Sequence, residues 1–277
     1  MHPIIWHITG ALSIKAYGIA ILVAFVAGIW LSMRRARAVG LKSNDFFDLG
    51  FWVLISSIVG ARLFYILFHL HEYLAEPKAI YQFWHGGLIF YGGLAGGVAA
   101  TVIFFKAKRI PLWLGTDVVA PQVALGYAIT RLGCFLNGCC FGSPTRLPWG
   151  VTFPDNCGAG HYAFGLSFTG LYELPIRLHP TQLYATAASL AIFVVLLLVW
   201  RRRRFDGQVF WTYLLLYPLY RFAVEFIRAD NKPLLWGLTT PQLMSVALFV
   251  CALAAYFNLR ARGGLTPARV AAKGKRR

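Results

Sequence analysis

Acidic side chains are scarce in this sequence. Of its 277 residues, 10 are Asp or Glu and 27 are Lys or Arg, and charged residues make up 13% of the chain. Soluble globular domains carry roughly 25% charged residues, so the composition disfavours an ordinary cytosolic enzyme. The 58% of hydrophobic and 16% of aromatic residues also exclude an intrinsically disordered protein.

Several catalytic motifs are also missing. No G-x-S-x-G elbow occurs, which gives no support to a serine hydrolase. Neither H-E-x-x-H nor a pair of intramembrane aspartates is present, so a zinc or aspartic intramembrane protease is unsupported. The acids are scattered and form no cluster that would hold Mg²⁺ in a lipid phosphotransferase.

Long apolar runs dominate the chain, whose mean hydropathy is +0.60. Each run has about 20 residues, the length that an α-helix needs to cross a bilayer. The pattern predicts an all-α integral membrane protein with seven transmembrane helices and no signal peptide to be removed. The predicted spans are 15–33, 46–69, 86–105, 112–133, 181–200, 207–228 and 238–259.

Basic clusters follow the first, third, fifth and seventh spans, and they account for much of the net charge of +17. By the positive-inside rule they predict an outside N-terminus and a cytoplasmic C-terminus. We interpret them as topology signals and expect no nucleic-acid partner. The predicted organisation is one transmembrane catalytic domain over 1–262, with an outer loop at about 140–180, and a basic cytoplasmic tail over 263–277.

Ionisable residues inside spans need partners and are candidates for function. Tyr217, Arg221, Glu225 and Arg228 share one helix face at spacings of four, four and three. We expect Glu225 to orient Arg221, and Arg228 to snorkel to the interface. With Arg131 near the outer end of the fourth span, Arg221 then predicts a site for an anion. Guanidinium groups match phosphate oxygens, so the residues suggest an outward-facing phospholipid site.

Glycines crowd the start of the third span in the string HGGLIFYGGLAGG. They predict close helix packing, above all at Gly93 and Gly97. An anion site that includes His85 and Tyr91 is the alternative.

Four of the five cysteines, Cys134, Cys139, Cys140 and Cys157, fall at the outer end of the fourth span and in the outer loop. An oxidising compartment permits disulfides, so we expect one or two of them rather than a metal site. The C-x₄-C-C spacing is not a standard zinc pattern.

The string RLGCFLNGCCFG (131–142) resembles the signature of the prolipoprotein diacylglyceryl transferases, which is close to G-R-x-G-N-F-x-N-G-E-x-x-G. Further matching strings follow in order along nearly the whole chain. They are AYG at 16–18, GAR at 60–62, YGGLAGG at 91–97, HPTQLY at 179–184, YPLYRFAVEFIR at 217–228 and TTPQLMS at 239–245.

The resemblance implies a multi-pass enzyme of the bacterial plasma (inner) membrane whose active site faces the outer leaflet. Such enzymes transfer the diacylglyceryl group of phosphatidylglycerol to the lipobox cysteine thiol of a preprolipoprotein. A thioether forms, glycerol phosphate leaves, and no metal or organic cofactor takes part. The expected partners are therefore phosphatidylglycerol, the signal-peptide and lipobox segment of the preprolipoprotein, and membrane lipid.

By position, the resemblance gives Arg131 and Arg221 the catalytic role of gripping the phosphate and stabilising the leaving group. The expected substrate-binding residues form a larger group around them. They are Tyr17, Arg62, Asn137, Gly142, Tyr217, Glu225 and Gln242.

The sequence departs from the family pattern at four positions. Tyr91 stands where the usual catalytic-candidate His is expected, Cys134 replaces Asn, Cys139 replaces Glu and Ala185 replaces Glu. The general base is therefore open among Tyr91, His85 and His179, and the pKa of a histidine suits base catalysis at neutral pH.

Two other functions remain as alternatives. One is a non-catalytic or divergent homologue that binds phospholipid or lipoprotein and releases no glycerol phosphate. The other is an anion transporter, which the apolar inner halves of the last three spans disfavour.

Overall fold

The computed structural model describes residues 4–9, 12–75, 87–167, 175–229 and 233–262. Within these ranges the chain forms nine helices and four short strands. In chain order they are β1 (Ile4–Thr9), β2 (Leu12–Lys15), α1 (Ala16–Ala38), α2 (Ser43–Phe68), α3 (Leu70–Ala75), α4 (Phe90–Ala107), α5 (Leu112–Asn137), α6 (Gly158–Ser167), α7 (Thr181–Arg202), α8 (Gln208–Glu225), β3 (Pro233–Leu235), β4 (Leu238–Thr239) and α9 (Thr240–Arg262).

Every predicted span coincides with a helix, and six helices are long and apolar enough to cross a membrane: α1, α2, α4, α5, α7 and α9. These helices carry large apolar side chains on their open faces, such as Trp30 and Phe51, which are 50% and 54% exposed. Apolar surface of this extent suits contact with lipid rather than water. The remaining predicted span, the sixth in chain order, is α8, which has 18 residues and includes Arg221 and Glu225. The tail over 263–277 lies outside the described residues.

Two antiparallel hairpins were not predicted. Strand β1 pairs with β2 immediately before α1, and β3 pairs with β4 immediately before α9. Both hairpins therefore lead directly into a long apolar helix.

The chain divides into two compact units, the first containing the described residues within 1–28 and 116–265. Helices α5, α7 and α8 of this unit pack around a buried apolar cluster formed by Ala120, Ala124, Ile192, Leu196 and Val209. The small residues of α5 let the larger side chains of α7 and α8 fill the space against it.

A buried aspartate fastens the start of α8 to α5. The two carboxylate oxygens of Asp117 accept the backbone N–H groups of Gly207 and Phe210, each at 2.9 Å. Arg203, whose side chain is also fully buried, lies 3.5 Å from the same carboxylate. Since the first N–H groups of a helix lack partners within it, Asp117 supplies a cap from another helix.

The second unit contains residues 29–115 of the described chain, and in it α2 packs closely on α4. Added Cβ atoms at Gly60 and Gly92 would each collide with the carbonyl oxygen of the other residue, and one at Gly96 would collide with that of Ser56. Such backbone proximity needs residues without side chains. The expected packing role therefore holds for this glycine-rich string.

The segment predicted as an outer loop at 140–180 contains structure of its own. Helix α6 and the chain beside it bury a separate apolar cluster, which includes Phe153, Cys157 and Leu178. Leu178 pairs with both Pro144 and Val151 in isolated bridges. This arrangement returns the chain to the start of α7, close to the turn that ends α5.

Candidate functional site

Helix α8 presents the face predicted from its spacing. The Glu225 side chain is fully buried, and one of its carboxylate oxygens is ion-paired with the Arg221 guanidinium. Its other oxygen accepts the hydroxyl of Thr239 at 2.8 Å. The structure thus contains the ion pair through which Glu225 is expected to orient Arg221, and the role of Glu225 in substrate binding stays a prediction. Because the Arg221 side chain keeps 15% exposure, it is held in place without being enclosed.

The contact between Glu225 and Thr239 ties α8 to the beginning of α9. Thr239 precedes α9, and its backbone N–H donates to the side-chain oxygen of Gln242 at 2.9 Å. This is half of a capping box, in which a side chain from the first turn reaches back to the N-cap residue. Gln242 is 2% exposed, so the structure gives it a positioning contact. Its predicted role in substrate binding stays a prediction.

Arg228 does not snorkel, which corrects the expectation. Helix α8 ends at Glu225, and Arg228 lies in the following turn, where its backbone pairs with Gly142. Its Nε atom is 3.9 Å from the Glu225 carboxylate, and its side chain is 9% exposed. Two guanidinium groups therefore share one buried carboxylate, which leaves a net positive charge at this place.

Arg131 lies on the last turns of α5, with its guanidinium carbon 4.7 Å from the centre of the Tyr127 ring. Among the residues that the structure describes, no carboxylate forms an ion pair with Arg131. Tyr127 also meets Tyr217 edge to face at 5.5 Å, so one aromatic ring connects the α5 arginine to the functional face of α8.

Tyr127 and Tyr220 were missed in the sequence. The charges of Arg131, Arg221 and Arg228 all act on the Tyr220 hydroxyl, so the three arginines belong to one electrostatic neighbourhood. The signal for Tyr127 was its position four residues before Arg131, which places both on one helix face. Such a cationic cluster, with phenol donors beside it, can bind a phosphate and stabilise negative charge that develops on it.

The N-terminal end of α1 lies against the same part of α5. An added Cβ at Gly133 would meet the Cα of Tyr17 at 3.3 Å, so this glycine permits the close approach of α1. Tyr17 is 38% exposed, and the charge of Arg131 acts on its hydroxyl. The structure thus brings Tyr17 to the arginine cluster, with its phenol still accessible.

Gly142 lies where three chain segments converge. Its N–H donates to the carbonyl of His179 at 2.9 Å, and the N–H of Ser143 donates to the carbonyl of Ile227 at the same distance. A Cβ at Gly142 would come within 2.6 Å of the Ile227 oxygen and 2.7 Å of the His179 Cβ. Asn137, the last residue of α5, precedes this turn and is partly buried. The two predicted pocket residues therefore flank one tight turn.

His179 lies at the start of α7 and contacts Tyr184. Its Nδ1 is 3.2 Å from the Tyr184 hydroxyl, which also accepts the indole N–H of Trp149 at 2.8 Å. Burial lowers the pKa of His179 below its ordinary value of 6.5, because desolvation penalises the charged imidazolium. A neutral imidazole at pH 7 is the form that can accept a proton.

The cysteines correct the expectation of disulfides, since all five are free. The sulfur atoms of Cys134, Cys139 and Cys140 instead lie within 4.8 Å of one another. Hydrogen bonds from Cys134 and Cys139, together with the charges of Arg131 and Arg228, lower the pKa of the Cys140 thiol. The thiol group therefore belongs to the same surroundings as the arginine cluster.

The remaining predicted residues belong to the second unit. One guanidinium N–H of Arg62 donates to the Gly87 carbonyl at 3.2 Å, and its charge lies 5.3 Å from the centre of the Tyr73 ring. Tyr91 is 49% exposed on the first turn of α4. His85 lies outside the described residues.

Comparisons with known proteins show the family of the chain. The family model described as prolipoprotein diacylglyceryl transferase matches residues 3–258. A phosphatidylglycerol–prolipoprotein diacylglyceryl transferase from Synechococcus elongatus is 37% identical over 243 residues, which cover 86% of this chain and 80% of that protein. The proteins of the same name from Geobacter sulfurreducens and Bacillus velezensis are 35% and 32% identical, over 88% and 95% of this chain and 90% and 94% of theirs.

Proposed function

Because the chain belongs to the prolipoprotein diacylglyceryl transferase family, we propose that it carries out the reaction that its relatives are named for. It transfers the diacylglyceryl group of phosphatidylglycerol to the lipobox cysteine of a preprolipoprotein. The cysteine sulfur attacks the carbon of the diacylglyceryl group that bears the phosphate ester. A thioether forms, and the other glycerol leaves as glycerol phosphate.

The observation that carries this proposal is the group of Arg131, Arg221 and Arg228, whose charges all act on Tyr220, together with the Glu225 carboxylate that Arg221 and Arg228 share. Glu225 neutralises one positive charge and holds Arg221, while Arg131 lies over the Tyr127 ring and has no ion pair with an acid among the described residues. Excess positive charge at the end of an apolar helix is costly unless an anion joins it. The phosphodiester of a lipid supplies that anion at the required depth.

In the reaction, Arg131 and Arg221 hold the phosphate and stabilise the negative charge that grows on the leaving oxygen. Such preorganised stabilisation is usually the largest single catalytic effect. The phenols of Tyr17 and Tyr217 donate to the head group, and Asn137 and Gly142 shape the turn below it. Arg62 belongs to the second unit, and its role in substrate binding stays a prediction from the sequence.

The proposed topology has seven spans, with α8 as the sixth in chain order. The N-terminus is outside and the C-terminus is cytoplasmic, because the four basic clusters then all lie on the cytoplasmic side. In this orientation the ends of α5 and α8 that carry Arg131 and Arg221 face the outer leaflet of the bacterial inner membrane. Both the lipid substrate and an exported preprolipoprotein are available there.

The test is complementation of a bacterium that is depleted of its own enzyme, together with glycerol phosphate release by the purified chain. Arg131→Ala and Arg221→Ala should each abolish complementation, with the protein still present in the membrane. Arg146→Ala, which removes an exposed arginine of the outer segment, is the matched control and should complement. Full activity in both cluster variants would refute the assigned roles. Phosphatidylglycerol binding without glycerol phosphate release would favour the non-catalytic alternative.

The general base is assigned by three further variants: Tyr91→Phe, His85→Gln and His179→Gln. His179 is favoured by its lowered pKa and by its contact with the Gly142 turn. If His179 is the acceptor, His179→Gln alone should lower kcat/KM, by roughly 100-fold or more, which is the usual contribution of general base catalysis. An unchanged rate in that variant would move the role to Tyr91 or His85.

A further inference from the structure

The first unit has a cavity at the end of α7, well away from the arginine cluster. Its volume is about 400 Å³, and its walls come from the end of α7, the loop over 203–207, the start of α8 and the end of α9. Helix α7 begins beside the Gly142 turn and has 22 residues, so its two ends are about 30 Å apart. We call this space the α7–α9 cavity, and it is separate from the candidate functional site.

Three arginines, Arg202, Arg204 and Arg260, line the α7–α9 cavity, and all three are exposed. None of the ion pairs within the described part of the chain involves any of them. The described lining residues include no acid, and Asp206, the acid of the same loop, is buried at 8% exposure. The cavity therefore offers positive charge to a ligand, and guanidinium groups match phosphate oxygens in bidentate geometry.

The loop that carries Arg204 is held in place by contacts with α5, α8 and α9. The backbone N–H of Arg204 donates to the side-chain oxygen of Gln208 at 2.7 Å, and the Gln208 amide donates to the Tyr256 hydroxyl at 3.3 Å. Phe205 is 4% exposed, and its ring meets that of Tyr256 edge to face at 5.3 Å. Asp117 of α5 accepts the backbone N–H at the end of the same loop. A ligand therefore meets a lining that is already arranged, which lowers the entropic cost of binding.

One wall of the cavity is apolar and continues along α7. Leu198, Val199 and Phe205 form this wall. Leu190, Val194 and Leu198 follow one another at a spacing of four, so they share a helix face, and they are 42%, 52% and 54% exposed. We call these three residues the apolar stripe. It leads from the cavity towards the middle of α7, as an acyl chain attached to a bound phosphate would.

We propose that the α7–α9 cavity binds the phosphate of an anionic phospholipid, whose acyl chain lies along the apolar stripe. The cavity volume is within the range of about 300–1,000 Å³ for ligand sites, which suits a head group while the chains stay on the open face of α7. In the proposed topology this end of α7 is cytoplasmic, so the lipid belongs to the cytoplasmic leaflet, where anionic lipids attract basic segments. The leaflet rests on that topology, whereas the cavity, its charge and the stripe do not.

Lipid binding is tested on the full chain purified in detergent, with phosphatidic acid as the probe and native mass spectrometry as the readout. Arg202→Gln and Arg204→Gln should each weaken one binding event by at least about tenfold, the smaller effect expected for a hydrogen bond to a charged group. Arg201→Gln is the matched control, because Arg201 is the exposed neighbour of Arg202 and does not line the cavity. It should bind as the parent does. Equal weakening in Arg201→Gln and Arg202→Gln, or none in either cavity variant, would overturn the proposal.

Thermal unfolding provides a second readout of the same site. A ligand that binds only the folded chain stabilises it, and a phosphate in this cavity would contact α7, the loop and α9 together. Phosphatidic acid should therefore raise Tm in the parent and in Arg201→Gln by the same amount. The rise should be smaller in Arg202→Gln and Arg204→Gln, although all four proteins should have the same Tm without the lipid. An equal rise in all three variants would contradict a site at the cavity.

The source of the phosphate is tested by competition and by cross-linking. Free inorganic phosphate has the same charge chemistry, but it would leave the apolar stripe without a role. Phosphatidic acid with a photoreactive acyl chain should label the peptide that contains Leu190, Val194 and Leu198, and unlabelled phosphatidic acid should prevent this. Inorganic phosphate should compete far less well. Equal competition by inorganic phosphate, or labelling that avoids α7, would overturn the assignment of a lipid.

The leaflet is tested by labelling from one side of the membrane. In the Arg201→Cys variant, a maleimide that cannot cross membranes should modify position 201 in inverted vesicles and not in intact cells, as read by mass spectrometry of peptides. Modification in intact cells would overturn the cytoplasmic leaflet and the proposed topology with it. These readouts require no transfer reaction. Lipid binding at the cavity of a chain that releases no glycerol phosphate would support this proposal and refute only the proposed function.

Discussion

Replacing Glu225 by Gln provides a direct test of the arginine cluster. The amide keeps the size of the carboxylate and can still accept the Thr239 hydroxyl, but it removes the only negative charge in contact with Arg221 and Arg228 among the described residues. Removing one partner of a buried ion pair costs about 3–5 kcal/mol. Because Arg221 is partly exposed, we expect the lower end, about 3 kcal/mol of unfolding free energy.

That loss has two measurable consequences. At about 2–4 °C per kcal/mol for a chain of this size, Tm should fall by roughly 6–12 °C at a fixed scan rate in detergent. Arg221 should also lose its fixed direction, so kcat/KM for glycerol phosphate release should fall by about 100-fold, as when one donor to a developing anion is removed. Asp155→Asn makes the same chemical change at an exposed position and should stay within about 0.5 kcal/mol of the parent.

A double variant makes the reasoning refutable. If the cost of Glu225→Gln comes from guanidinium charge left uncompensated, then removing one such charge as well should restore stability. The double variant Arg221→Gln with Glu225→Gln should therefore be more stable than Glu225→Gln alone, by about 1 kcal/mol, within the usual range of couplings between neighbours. A double variant that is less stable than the single one would refute the charge argument. So would a single variant with parental Tm and activity.

Three further outcomes follow from the structure. Gly142→Ala should lower Tm and activity, because the added Cβ would meet neighbouring backbone. Overpacking of this kind lowers the free energy of unfolding by about 1–3 kcal/mol. Gly165→Ala, with open space at its Cβ, is the control and should change thermal unfolding little. Asp117→Asn should lower the free energy of unfolding by about 3 kcal/mol, and Tm with it, since the buried Arg203 would lose its ion pair with Asp117. If the role of Asp117 is structural, the KM for lipid should not change. Folding lowers the pKa of His179, so below pH 6.5 the unfolded chain binds more protons than the folded chain. The free energy of unfolding should therefore decrease as the pH falls below 6.5. His179→Gln should flatten the Tm–pH curve there, and an unchanged slope would contradict the assignment.

Sequence periodicity was sufficient to predict the long helices and the residues that share one face of α8. Apolar runs set the positions of all seven predicted spans, because a helix in lipid must satisfy its backbone internally and present apolar side chains outside. The spacing of four residues between Tyr217, Arg221 and Glu225 placed them on one face, because an α-helix has 3.6 residues per turn. The expected snorkelling of Arg228 was wrong, because α8 ends before this residue and its side chain lies beside the buried Glu225 carboxylate.

Contacts between distant segments were beyond the reach of the sequence. Asp117 and Arg203 are 86 residues apart, and nothing in their local patterns pairs them. The convergence of Cys134, Cys139 and Cys140 was equally hidden, because the chain turns through a left-handed conformation at Cys140 that a spacing of C-x₄-C-C does not specify. The resemblance to the family's sequence motifs named the candidate site residues. The side chains and backbone groups that each of them contacts were seen only in the structure.

The scarcity of acids, which was the first feature of the sequence, explains why the site is cationic. The buried acids Asp117 and Glu225 are each bound by an arginine, and each fastens the start of a following helix, α8 or α9. Both carboxylates are thus fully engaged in holding helices together, and neither is available to Arg131. In a segment without water, a guanidinium that lacks an acid within the described protein needs an anion from outside it. The positions of these two acids are therefore consistent with the proposed phosphate site at Arg131.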